Sequence, residues 1–206
     1  MTTNDTDFSA LRAALKETEP AVSPEVHLDR MRGAAEPLNR YFLWHLILCI
    51  ATTGGILLMF TSFVTMNPVI FYLSVVFWIV ALIQIIGESK ITCDLWPYSD
   101  KFLGARMFGY GTSLVSILLT DSVICEGFKD ITSGIDNSLA DRWEETPMKN
   151  AIVSAAGFVF VLLGFVMMNS PAPLRIVLIC LGCALFVLRD YRVLSQVRRT
   201  IDILKK

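Results

Sequence analysis

Few residues in this 206-residue chain are of a type and spacing that could do chemistry. Cys180 and Cys183 stand as CLGC, the spacing of a redox dithiol, but both fall inside an apolar helical stretch, where burial keeps a thiol inert. Cys49, Cys93 and Cys125 show no ligand spacing and the chain has only 2 histidines, so neither a zinc nor a haem site is expected, nor any other cofactor. Asp121, Glu126, Asp130, Asp136 and Asp141 share the central segment and could gather into a metal-assisted site, although carboxylates in such a segment are ordinarily just solvated. There is no phosphate-cradling glycine loop, no HExxH and no GxSxG. The residues point away from an enzyme.

Ion conduction has one local signal. Phe108 to Gly111, FGYG, resembles the glycine-tyrosine-glycine core of potassium-channel selectivity filters. It lacks the preceding threonine and valine and follows the charged SDKFLGAR where a pore helix belongs, so it reads as a turn. Ionisable groups within a membrane are the usual mark of ion and proton pathways, and here only His45 and Gln84 are candidates. His45 is expected at the cytosolic interface, close to Arg40, and Gln84 near the end of its helix.

These residues hang on two apolar blocks. Tyr41 to Gly87 is 47 residues without Asp, Glu, Lys or Arg, and Asn150 to Leu188 is 39 with Arg175 as the only charge. A hydrocarbon core about 30 Å thick needs roughly 20 helical residues per crossing, so each block holds two spans. The expected fold is an all-α membrane protein: four transmembrane helices in two hairpins, a helical cytosolic central segment and an amphipathic C-terminal helix. Residues 1–40 form a cytosolic tail with short helices, from Phe8, Leu11 and Leu15 at helical spacing and from the SPE start at Ser23, and Pro37 breaks the chain before the membrane. Hairpin 1 covers 41–87 and turns at Met66-Asn67-Pro68; the central segment covers 88–149; hairpin 2 covers 150–188; the basic tail helix covers 189–206. In the central segment SGIDNS reads as a turn, SLADRWEE as a short capped helix and Thr146-Pro147 as its stop.

Two stretches test the count. Ile176 to Leu188 is only 13 uncharged residues, about 20 Å of helix, so Arg175 and Arg189 must snorkel toward opposite headgroup layers if it crosses. Met107 to Thr120 is 14 uncharged residues, too short for an ordinary span, with Thr112, Ser116 and Thr120 as a polar stripe. With four spans and a cytosolic amino terminus, every Lys and Arg except Arg175 lies on the cytosolic side, whereas a fifth crossing would divide them evenly. The positive-inside bias selects four, with both termini cytoplasmic.

After Leu188, Leu194, Val197, Ile201 and Leu204 recur at helical spacing beside Arg192, Arg198, Arg199, Lys205 and Lys206. That stripe is expected to dock on an anionic leaflet or on a partner helix, with Arg198 and Arg199 among its cations. Ala51 with Gly55, Gly157 with Gly164, and Gly182 are small residues spaced for close helix packing. In layout the chain resembles reticulon-type proteins: two apolar hairpins, a cytosolic spacer of 62 residues, cytosolic termini and an amphipathic tail. The near balance of 18 basic and 19 acidic residues gives no reason to expect nucleic acid. The expected partners are the bilayer and other proteins or further copies of this chain. The functional expectation is a non-catalytic accessory or assembly subunit, or a hairpin protein that shapes the bilayer; the alternative is a channel or transporter formed by oligomerisation.

Overall fold

The computed structural model describes residues 24–103, 114–167 and 171–206, and among them every regular element is a helix. They are α1 (Pro24–Met31), a 3-10 turn Arg32–Ala34, α2 (Ala35–Thr65), α3 (Pro68–Leu95), a 3-10 turn Trp96–Tyr98, α4 (Leu114–Thr132), α5 (Asn137–Val166) and α6 (Ala172–Leu204). Four of them, α2, α3, α5 and α6, are long and apolar enough to cross a membrane. The Phe8, Leu11 and Leu15 pattern, FGYG and Thr112 lie outside the described residues, as do the side chains of Ser116, Thr120 and Asp121.

The break between α2 and α3 is written locally. Met66 adopts a left-handed conformation, φ 52°, and the Asn67 side chain accepts from the Val69 N–H at 2.9 Å. Pro68, which lacks an N–H, takes the first helical position, where none is needed. Asp136 does the same for α5, accepting from the Leu139 N–H at 3.1 Å and from the Ser138 hydroxyl at 2.8 Å. The Ser138 hydroxyl and the Leu139 amide hold the Asp136 carboxyl below its usual range. The turn before it carries Gly134 at φ 82°.

Three expected breaks are absent. Pro37 is the third residue of α2, in the first turn, where the missing N–H has no partner to lose. Pro147 does not end a short helix but sits inside α5, which runs on to Val166. A hydroxyl one residue earlier explains the tolerance: Thr146 Oγ1 lies 2.7 Å from the Arg142 carbonyl and supplies a donor in the turn that proline depletes. Nor does the tail helix begin at residue 189, since α6 is unbroken from Ala172 to Leu204. At 1.5 Å per residue the four long helices, of 31, 28, 30 and 33 residues, span about 42–50 Å, well beyond a bilayer core of about 30 Å.

Helix α2 packs on both α3 and α6, while α5 packs on α6 and α4. Both connections, α2 to α3 and α5 to α6, lie at one end of the bundle. There Phe60 and Phe63 meet Phe165 edge to face at 5.8 and 6.0 Å, and the Arg175 guanidinium rests 5.6 Å from the Phe60 ring centre. At the opposite end the overhanging parts of the long helices join α1 and α4 around a core in which Leu38, Leu95, Phe128, Trp143 and Val197 are fully buried. Phe128 is its hub, with Tyr41 at 5.3 Å, Phe102 at 5.5 Å and Trp143 at 4.7 Å.

The small residues lie at close approaches between helices. Ala51 is buried in α2, and a Cβ on Gly55 would lie 3.3 Å from the Trp78 ring. Gly164 faces Ile179, and a Cβ on Gly182 would lie 2.7 Å from the Gly157 carbonyl oxygen and 3.0 Å from the Val161 nitrogen. Those obstacles are backbone and cannot rotate away. Gly182→Val is therefore expected to lower stability by about 1–3 kcal/mol. Cys180→Val, on an exposed face of the same helix, leaves it nearly unchanged. Thermal unfolding of the detergent-solubilised protein reads the difference, and equal midpoints for the two variants would remove this account of the α5–α6 contact.

Candidate functional site

The long helices carry their buried stripes past the ends of the apolar blocks, and the first ionisable residues on those stripes meet. On α2 the stripe runs Leu38, Tyr41, His45, Cys49. On α3 it runs Ala81, Gln84, Glu88, Ile91, Leu95, and on α6 it runs Asp190, Leu194, Val197, Ile201. Every step is three or four residues, which holds one face of a helix. His45, Glu88 and Asp190 thus come to the same level from three helices.

His45 Nδ1 lies 3.0 Å from Glu88 Oε1, and Nε2 lies 3.7 Å from Asp190 Oδ1. His45 and Asp190 are buried, and the Glu88 side chain is 14% exposed. A carboxylate in its ionised form only accepts, so a bond of that kind to Glu88 is one in which Nδ1 donates. Arg189 Nε stands 3.5 Å from Asp190 Oδ1, and the Cys49 thiol, one turn along α2, also interacts with the Asp190 carboxylate. Tyr41 stacks on the imidazole, with ring centres 5.6 Å apart and planes 17° from parallel. The close fit of α2 to α3 depends on Gly87, because a Cβ there would run into the Trp44 ring beside His45. One turn deeper, Gln84 is buried and its Oε1 has no hydrogen-bond partner.

Such a site can hold a proton between three groups, and it can tie three helices together. Both follow from burial: in a low-dielectric setting paired charges attract strongly and an unpaired one is costly. No protein-family model matches the chain, and no curated protein or solved structure is significantly similar to it. The site must therefore be understood from its own geometry.

Among the described residues, Glu126, Asp130 and Asp136 each have a separate partner. Glu126 faces Lys101 at 3.6 Å, Asp130 accepts from the Ser99 hydroxyl at 2.6 Å and Asp136 caps α5. Across the same surface Glu144 accepts from Lys129 at 2.7 Å, which holds the lysine amine above its usual range. Among the described residues no group of three or more His, Cys, Asp or Glu could hold a metal ion. Cys180 is exposed and Cys183 buried, and both are free thiols.

The tail stripe lies elsewhere than expected. Leu194, Val197, Ile201 and Leu204 are all buried in the chain's own core, with Phe128 and Trp143, so they offer no apolar face to lipid or to another chain. Polar ties fix the register: Trp143 Nε1 donates to Thr200 Oγ1 at 3.3 Å, and Thr146 Oγ1 lies 3.1 Å from Gln196 Oε1. Arg198 and Arg199 remain exposed, the former 3.8 Å from Asp202.

The sequence places His45 at an interface, and it singles out neither Glu88 nor Asp190. A signal was available. Both acids sit in phase with an apolar stripe that continues beyond them, a position that solvated charges avoid.

Proposed function

We propose that the chain is an integral membrane protein with four crossings in two hairpins and both ends cytoplasmic, serving without catalysis as an accessory or assembly subunit of a membrane complex. The observation that carries this reading is the use of the buried ionisable residues: His45, Glu88 and Asp190 face one another across α2, α3 and α6, as ties between helices. The belt of exposed Val69, Val76, Leu82, Ile86, Phe158 and Val177 supports immersion in lipid, because apolar surface so extensive is not stable in water. Helices longer than the bilayer core is thick favour full crossings over the shallow wedges of a membrane-shaping hairpin.

Tags placed before Met1 and after Lys206 are expected to be reached from the same side of the membrane, and the protein to resist carbonate extraction. Opposite accessibility would end the four-crossing topology. In native membranes the protein is expected to migrate in an assembly of constant composition, larger than its own 23.0 kDa.

One observation favours a transport reading: a buried histidine between two carboxylates, with Gln84 one turn deeper, is the type of group through which protons pass in membranes. Purified protein in liposomes separates the two. Proton flux above that of empty vesicles, abolished by His45→Ala in a protein that still folds, would replace the assembly reading with transport.

A further inference from the structure

Helix α6 has a second polar face beside its buried one. Leu188, Tyr191, Arg192, Ser195, Gln196 and Arg199 line a cleft of about 250 Å³ against Arg142 of α5. We propose that this cleft binds the headgroup of an anionic phospholipid, with Arg192 meeting its phosphate and Arg142 and Arg199 adding positive charge farther out.

Three observations carry it. The first is charge: no acidic residue lines the cleft, and Arg192 borders no carboxylate there, while Arg142 and Arg199 also border Asp136 and Asp202 on the outward side. Neighbouring Arg189 and Arg198, by contrast, stand near Asp190 and Asp202. Carboxylates appear only outward, where the groove continues past Asp136 and Asp202. A guanidinium group suits phosphate oxygens, which it meets with paired N–H donors.

The second observation is depth. Leu188 is the last residue of the apolar block, and Arg192 follows one turn later, about 6 Å along the helix. A headgroup layer is about 5–7 Å deep on each side of the hydrocarbon, so Arg192 reaches phosphate level when Leu188 marks the hydrocarbon edge. The third is continuity with the apolar belt. Leu188 and Tyr191 are 47% and 68% exposed at the inner mouth, where acyl chains would pass, and tyrosine favours that boundary. A soluble phosphate compound would gain nothing from that apolar edge.

The proposal rests on the membrane reading above, and the test keeps the two apart. Full-length protein is reconstituted in phosphatidylcholine nanodiscs with and without phosphatidylglycerol, and the lipids retained after detergent release are counted by native mass spectrometry. Wild-type protein is expected to retain phosphatidylglycerol over phosphatidylcholine. R192Q should weaken retention about fivefold, the scale of one basic side chain near an anionic leaflet, and R142Q and R199Q should weaken it in the same direction but less. R198Q, which removes the same charge outside the cleft, should not. Equal loss in R198Q would mean diffuse attraction to the leaflet and overturn the site, as would no preference for phosphatidylglycerol. Displacement by millimolar glycerol phosphate would also overturn it, since a soluble compound would then suffice. Failure to enter nanodiscs at all would instead overturn the membrane reading.

Discussion

Glu88→Leu is expected to destabilise the folded bundle by about 3–5 kcal/mol, the usual cost of removing one partner from a buried charged pair. His45 Nδ1 would keep its proton in an enclosed site and lose the acceptor 3.0 Å away. Solvent cannot replace that acceptor, because His45 is 6% exposed and roofed by Tyr41. His45→Leu has the opposite fault: it leaves Glu88 and Asp190 as two buried carboxylates with Arg189 close to one of them. The double variant removes the stranded group of each single one and leaves the Asp190–Arg189 pair intact, so it should be more stable than either. Unfolding midpoints of the four proteins in one detergent give the coupling. If the two single losses simply add, the three helices are not held by this cluster and the assembly reading loses its main support.

Trp143→Ala should be as damaging at the other core, by about 3–5 kcal/mol. Trp143 is fully buried, packs 4.7 Å from the Phe128 ring centre and donates to Thr200. Truncation opens a cavity where α4, α5 and α6 meet. Thr200 is spared the worst, since its hydroxyl also reaches the Gln196 carbonyl at 3.0 Å. Most of the loss is therefore packing, and Trp143→Phe should recover the larger part of it. Trp96→Ala is the control, because Trp96 is 50% exposed. Midpoints for Trp143→Ala and Trp96→Ala that coincide would show that this end of the bundle is not one packed core. Limited proteolysis gives a second reading, with cleavage in Trp143→Ala appearing in α4 and the end of α6.

The contrast between these two sites shows what can be read along a chain. The apolar blocks and the Met66-Asn67-Pro68 turn were legible because each depends on neighbouring residues: hydropathy adds along a segment, and a cap is decided within three positions. Pro147 misled for the same reason. A local rule makes proline a stop, but the Thr146 hydroxyl, which reaches the Arg142 carbonyl within α5 and Gln196 across on α6, and the packed Trp143 carry the helix through it. The tail stripe was correctly seen as amphipathic, yet its partner was already present in α4 and α5.

The sequence by itself determined that four helices are long and apolar enough to cross a membrane and that the first two part at Met66-Asn67-Pro68. Tertiary structure alone decided that His45, Glu88 and Asp190 share one site and that the tail folds back into a core. The physical reason is that a helix's periodicity shows which residues turn inward but carries no record of what stands opposite. The partner of an inward charge is fixed only when a second and a third helix arrive at the same height.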